Sequence, residues 1–358
     1  MDKKSKIFVA GGTGMVGSAL IRKLYKSGYT NIISNYYKKK PKINNDYSVT
    51  FFRLDLTRQV EVEEFFKEHK PEYVFLSAAK VGGILANNTY KAEFIYTNIQ
   101  IASHIIHSSY LYGVRKLLNF GSSCIYPKYA PQPLKEEYLL SGQLEPTNEP
   151  YAIAKITAIK LCRFYNEQYG TNFISVMPTN LYGPNDNFDL KTSHVLPALI
   201  RKFHLAKLLR ENNHLEIEKD ILKHNPDFKN NIDNYLKENG ITSEYVEIWG
   251  TGNPYREFLH VDDVADASLY LMKNFNYDDI GEFVNIGTGK DITIKHLASK
   301  IKDIVGFKGD IKWDPSKPDG TPRKLLDVSK INNLGWKHKI ELDEGISITY
   351  KWYTNNYA

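Results

Sequence analysis

The chain has 358 residues, 42% of them hydrophobic and 25% charged, which describes an ordinary globular protein long enough for one large or two modest domains and excludes a collagen, a coiled coil or a disordered chain. A net charge of +6 suits polyanionic ligands or, equally, a solvated lysine-rich surface, because the lysines are interleaved with acids. Two cysteines, Cys124 and Cys162, are too few for a disulfide framework and fit a reducing compartment. The opening "MDKKSKIFVAGG" reaches Gly11 after an apolar run too short for a signal peptide or a membrane span, so a cytoplasmic location is expected.

Along the chain, continuous apolar runs predict strands buried on both faces at 6–10, 31–35, 49–54, 72–78, 116–120 and 172–177. Helical spacing falls between them, at 15–28, 57–69, 90–112 and 150–169. Repeated β-α units of this kind predict an α/β fold built on a doubly wound parallel sheet. The alternation lapses after residue 180. Short strands are expected at "EIWG" (247–250) and "IKWDP" (311–315), while a helix at 261–274 and a strand at 282–289 look like a return to the main sheet. Interleaved lobes follow: 1–180, joined by 257–290, as a dinucleotide-binding domain, and 181–256 with 291–358 as a smaller substrate-binding lobe. The stretch from about 205 to 245 is highly charged, lacks glycine before Gly240 and has helical leucine and isoleucine spacing, so it reads as a polar helical excursion. No internal repeat stands out.

The first chemical signal is "FVAGGTGMVGSAL". Gly11, Gly14 and Gly17 follow a predicted strand and open a predicted helix, where glycines let the backbone turn sharply and approach a pyrophosphate at the helix N-terminus. The second strand ends in "NIISNYYKKK" without the acid that would bind a free ribose 2′-hydroxyl. Asn35 and the run from Lys38 to Lys40 suit a 2′-phosphate, favouring NADP(H) over NAD, although three lysines equally make a solvated loop.

The second signal is "PYAIAK". Tyr151 and Lys155 stand four apart on one helix face, where the cation can stabilise the phenolate of a group whose pKa is ordinarily about 10. Ser122, at the end of the strand 116–120, can complete the site by bonding a substrate oxygen. Two residues on is Cys124. It stands beside Ser122, whereas Cys162 reads as packing. The ten histidines show no metal-ligand spacing, so no metal is expected.

Nearly end to end, the chain resembles the extended short-chain dehydrogenase/reductases that act on nucleotide sugars, and among them the group that epimerises and reduces GDP-4-keto-6-deoxy-mannose to GDP-L-fucose. The blocks that carry the resemblance are "AAKVGGILANNTY" (78–90), "GSSCIYPK" (121–128), "LEPTNEPYAIAK" (144–155), "SVMPTNLYGPNDNF" (175–188), "SHVLPALIRKFH" (193–204), "REFLHVDD" (256–263) and "KPDGTPRKLLDV" (317–328). The resemblance implies a Rossmann fold, a Ser122–Tyr151–Lys155 reductase triad, and Cys124 with His194 as the epimerising acid/base pair. It places NADP(H) against Gly11, Thr13, Gly14, Met15, Val16, Gly17, Asn35, Lys38, Asp55, Leu56, Ala78 and Ala79. At the nicotinamide end it adds Tyr151, Lys155, Pro178, Asn180, Leu181 and His194. The GDP-4-keto-6-deoxy sugar would meet Ser122, Ser123, Cys124, Asn180, Lys202, Trp249, Arg256 and Asp319. A homodimer pairing the 90–112 and 150–169 helices is also implied.

Related 4,6-dehydratases carry an Asp-Glu pair where this chain has Ser123 and Cys124, so dehydration is disfavoured. The alternative is a C4 reductase only, acting on a related GDP-4-keto-6-deoxy sugar such as a heptose, with the 205–245 stretch shaping the sugar pocket. A silent NADP-sensing protein would have no use for Ser122, Tyr151 and Lys155 together.

Overall fold

The computed structural model describes residues 1–38, 48–226, 228–229, 231–317 and 319–356. The first half runs β1 (Ile7–Ala10), α1 (Met15–Lys26), β2 (Ile32–Tyr36), β3 (Val49–Arg53), α2 (Gln59–His69), β4 (Tyr73–Leu76), α3 (Ile84–Thr89), α4 (Lys91–Leu111), β5 (Lys116–Phe120), α5 (Glu149–Tyr169) and β6 (Phe173–Pro178). Next come β7 (Asn180–Tyr182), α6 (Val195–Arg210), α7 (His214–His224), α8 (Ile232–Glu238), β8 (Tyr245–Trp249), β9 (Tyr255–His260) and α9 (Val261–Asn274). The chain ends with α10 (Tyr277–Ile280), β10 (Val284–Ile286), β11 (Asp291–Thr293), α11 (Ile294–Val305), β12 (Asp310–Asp314), β13 (Arg323–Lys324), α12 (Ser329–Asn333) and α13 (Leu342–Asn356).

Seven strands form the main sheet in the order β10-β6-β5-β4-β1-β2-β3, parallel throughout. This is the doubly wound Rossmann architecture read from the sequence. Ile7 and Val9 of β1 face a core shared with Leu20 and Leu24 of α1 and Val264 of α9. On the opposite face, Phe8 and Ala10 meet Phe66 of α2, Ile105 of α4 and Ala158 of α5. Both faces of β1 are therefore covered, which is why the strand is apolar without alternation. Cys162 lies in this second core, as packing. The expectation for 49–54 needs correction: β3 is the sheet edge, and its residues are half-buried or exposed because no strand lies beyond it.

The order of connection reverses between β1 and β4. A parallel sheet opens a crevice beyond the carboxyl ends of its strands at that point.

The segments at 261–274 and 282–289 do return: α9 packs on α1, and β10 extends the sheet beside β6. A separate core lies under α6, α7, α8, α11 and α13, and here the reading of 205–245 as a polar excursion is corrected. Its helices and the turn after α8 bury Leu205, Ala206, Ile217, Ile221, Leu236 and Ile241. The outward charges had masked the apolar stripe, and Arg201 and Asp220 at its centre neutralise each other. Arg201 donates from Nε (2.8 Å), with its NH2 2.7 Å from the same Asp220 oxygen, and the Tyr353 hydroxyl donates to the other carboxylate oxygen. Removing one member of a buried pair strands the other charge, so Asp220→Ala is expected to destabilise the fold by about 3–5 kcal/mol, read as a fall in denaturation midpoint.

Candidate active site

The crevice is floored by the glycine loop. Gly11 has φ +87°, and a Cβ there would come 2.7 Å from the Ala78 Cα at the end of β4. A Cβ on Gly17 would lie 2.1 Å from the Gly11 carbonyl oxygen. Loop and helix are thus in backbone contact, as a phosphate-binding turn requires. Gly14 caps α1 without a side chain, leaving the first N–H groups of the helix, at Met15, Val16 and Gly17, to an anion. Overpacking at this spot costs about 1–3 kcal/mol. Gly17→Ala should accordingly lower the melting temperature and abolish dinucleotide binding, measured by calorimetric titration with NADPH.

Around this floor, Thr13 is exposed. Asn35 is buried, accepting from the Gly11 N–H (2.8 Å) and donating to the Leu54 carbonyl (3.3 Å), so its side chain shapes the loop. Lys38 is exposed just beyond β2, whereas Lys39 and Lys40 lie outside the described residues. Asp55 accepts from the N–H (3.0 Å) and hydroxyl (2.7 Å) of Thr57, and Leu56 is buried in the core. Ala78 and Ala79 follow β4 and are half-buried.

The candidate groups gather where β5 meets α5. Ser122 caps a single 3₁₀ turn over Ser123–Ile125, accepting from the Cys124 N–H at 3.4 Å. Lys155 donates to the Phe120 carbonyl (2.7 Å), and its ammonium stands 5.7 Å from the Tyr151 ring centre. Phe94 of α4 meets the Tyr151 ring edge-on at 6.4 Å. Burial brings Lys155 down to about 8 and, with the Cys124 thiolate adding to it, raises Tyr151. Burial also raises Cys124, opposed first by Lys324, then by the Ser122 hydrogen bond and by Lys155. His194 is the N-cap of α6; burial and then Lys324 lower it. The loop before it is braced by the Gly83 N–H, which donates to the Thr192 carbonyl at 2.9 Å.

These interactions bring Ser122, Cys124, Tyr151 and Lys155 into one neighbourhood, and they add Lys324, whose charge acts on both Cys124 and His194 and which the sequence reading did not single out although its block was quoted. The only signal for it is that block itself. Cys124 and Lys324 line a common chamber with Tyr126, Glu145 and Thr321. Its volume, about 10 Å³, is that of roughly one water.

A second group of residues adjoins this centre through Arg256, which stands opposite Lys324. Lys202, on α6, donates to the Glu247 carbonyl (2.9 Å) and is brought to about 8 by burial. Arg256, on β9, donates to the Thr321 carbonyl at 2.6 Å; burial lowers it against the pull of Asp319. Asp319 accepts from the Thr251 N–H (2.9 Å) and hydroxyl (2.7 Å). Trp249 is 61% exposed at the end of β8, with the Lys317 ammonium 5.7 Å from its ring. A large ring held at the surface offers a stacking face. Between this group and the centre, Pro178 closes β6, Leu181 lies on β7, and Asn180 donates to the Glu257 carbonyl (2.8 Å). Among the described residues no His, Cys, Asp and Glu group is arranged to hold a metal ion, and no helix is long and apolar enough to cross a membrane.

Residues 7–287, from β1 through β10, match the family model described as "NAD dependent epimerase/dehydratase family". The chain belongs to that family. Within the epimerase/dehydratase family it is 52% identical to GDP-L-fucose synthase 1 of Arabidopsis thaliana over 99% of this chain and 95% of that one. It is 46% identical to the GDP-L-fucose synthase of Escherichia coli over 99% and 98%. Among solved structures it is similar to a GDP-mannoheptose C4 reductase from Campylobacter jejuni with NADP bound, at 45% identity, 99% coverage of both chains and a TM-score of 0.83.

Proposed function

We propose that the protein inverts C3 and C5 of GDP-4-keto-6-deoxy-mannose and reduces C4 with NADPH, producing GDP-L-fucose. The observation that carries this reading is Cys124: its thiol shares the Ser122 turn and feels the charges of Lys155 and Lys324, so a group able to move carbon-bound protons stands inside a reductase site. Full-length identity to GDP-L-fucose synthases supports it.

The glycine cradle, the uncapped start of α1 and Lys38 beside β2 suit a dinucleotide 2′-phosphate. NADPH seated there supplies a hydride for C4. The 4-keto oxygen lies at Ser122 and Tyr151. Burial keeps Tyr151 a neutral phenol, which makes it the donor to that oxygen, and Lys155 stabilises the phenolate left behind. Cys124 and His194 act on the acidic C–H bonds flanking the carbonyl, one removing a proton and the other returning one on the opposite face. The same polarised carbonyl holds the enolate, so one oxyanion position serves inversion and reduction.

Lys202, Trp249, Arg256 and Asp319 are proposed to receive the GDP portion in the lobe of 181–256 and 291–358. A homodimer through α4 and α5 is supported by Tyr96, Leu111, Ile153, Phe164 and Tyr169, apolar side chains left exposed on those helices. Free thiols at Cys124 and Cys162 suit a reducing cytoplasm.

One observation favours a second reading. The heptose C4 reductase shares 45% of its residues with this chain, which supports reduction alone, of an already inverted or heptose substrate. Incubation with GDP-4-keto-6-deoxy-mannose in deuterated water separates the two. Deuterium at C3 and C5 together with NADPH-dependent GDP-L-fucose is the expected result. NADPH oxidation without deuterium would replace it with the reductase-only reading.

A further inference from the structure

We propose that Lys324 is a positioning residue of the inversion: its ammonium, held in the wall of the Cys124 chamber, sets how much of Cys124 is thiolate and so how fast protons leave C3 and C5. This rests on the function proposed above.

The placement comes from the strand. β13 pairs with β9, Arg323 opposite Tyr255 and Lys324 opposite Arg256. Side chains alternate along a strand. Arg323 also borders the chamber, but it is exposed and bridges Asp291 at 2.6 and 3.2 Å. Lys324 is half-buried beside Cys124. The backbone that follows is pinned from two sides: the Leu325 N–H donates to the Gln132 side chain (2.9 Å) and the Leu326 N–H to the buried Glu257 carboxylate (2.9 Å). Leu134 donates to the Leu325 carbonyl at 2.7 Å. The segment therefore cannot drift.

Among the described residues the Lys324 ammonium has no ion-pair or hydrogen-bond partner, whereas Arg323 next to it has both. A cation drawn into the protein without a counter-ion is costly, and an anion opposite it offsets that penalty. Of the two groups able to supply one in this chamber, Glu145 is already paired with Lys128 at 2.8 Å, which leaves the Cys124 thiol. The groups facing Cys124 are Lys324 from β13 and Lys155 with the Tyr151 phenol from α5, and the Ser122 hydroxyl accepts from the Cys124 N–H at the strand end. Lys324 itself feels Cys124, Arg256 on β9 and Glu145 on the loop before α5.

Proton balance is simple. A thiol with a neutral imidazole carries the same protons as a thiolate with an imidazolium, so one proton passing from Cys124 to His194 arms the pair. The thiolate takes a proton from C3 or C5, and the C–H electron pair moves onto the carbonyl oxygen. The imidazolium then gives its proton to the opposite face, restoring thiol and imidazole. Lys324 favours the thiolate and, through like charge, makes the imidazolium a stronger acid.

The test is Lys324→Met, with Lys324→Arg as the charge-keeping control and Lys324→Gln should methionine prevent folding. The thiolate is titrated by its ultraviolet absorbance, with Cys124→Ser as baseline, and deuterium entry at C3 and C5 is followed against pH. Loss of the charge should move the thiolate titration up by at least about one pH unit, a tenfold loss of thiolate at neutral pH, and slow deuterium entry by a similar factor, with arginine restoring most of both. An unmoved thiolate titration overturns the proposal even where deuterium entry falls. A wild-type protein that exchanges no deuterium defeats the function proposed above instead, while the titration still decides Lys324.

Discussion

Replacing Cys124 by serine should reduce deuterium incorporation at C3 and C5 by about 10²–10⁴-fold, the usual worth of a positioned acid/base group. Serine keeps the size and the hydrogen-bonding capacity of the site, and the Ser122–Cys124 turn is held by the backbone N–H at this position, so the turn should survive. What disappears is an ionisable thiol, whose acid/base capacity a serine hydroxyl does not replace. Reduction of a substrate already inverted at both carbons should suffer much less, because the phenol and ammonium that serve C4 lie on α5. The measurement is paired: mass spectrometric deuterium mapping for inversion and NADPH absorbance for reduction. Equal loss in both assays would mean that Cys124 shapes the pocket and moves no proton.

Lys155→Met should have a comparable effect on the other half of the chemistry. With the ammonium gone, nothing offsets the phenolate that Tyr151 leaves after protonating the C4 oxygen, and reduction should fall by about 10²–10⁴-fold. The pH dependence has a defined sign. Lys155 titrates near 8 because burial penalises its charged form, so the cation is present below that pH and lost above it. Wild-type turnover should decline as pH rises through about 8, and the methionine variant should be slow and flat over the same range. Arginine offers no equivalent rescue at the Phe120 carbonyl, since its fork is longer and differently shaped than an ammonium. A decline above pH 8 that persists in Lys155→Met would assign the limb to another group, with Lys202 the first alternative because it also titrates near 8.

Much of the fold could be read from local pattern. The strands of the main sheet and the helices α1, α2, α4 and α5 emerge within a few residues of their expected limits, because burial on both faces leaves an unbroken apolar run and a helix face repeats every few residues. Short strands were harder. β7, β9, β11 and β13 carry polar and charged residues, and their existence depends on β9 as a shared partner. Period alone could not reveal them. The helices α11 and α13 close over a core that they share with α6, and their apolar faces make sense only once that core exists.

The site divides in the same way. Gly11, Gly14, Gly17, Ser122, Tyr151 and Lys155 were legible because each belongs to a short spacing with a chemical reason. Asn35 was singled out for a 2′-phosphate, and the fold shows in addition that its buried side chain accepts from the Gly11 N–H. The charged stretch at 205–245 misled, since sequence displays every charge alike whether it faces water or, like Asp220, is wholly buried.

By itself, then, the amino-acid order determined the doubly wound sheet, and it singled out the glycine turn and the residues proposed as the reductase triad, all of which follow from relationships within a few residues of chain. Only the tertiary structure decided that Lys324 stands beside Cys124, that Asp220 neutralises Arg201, and that the ordinary ionisation of Lys155, Cys124 and His194 is altered. The physical reason is that charge, burial and hydrogen bonding act through space, and their strength depends on how much water the fold has removed.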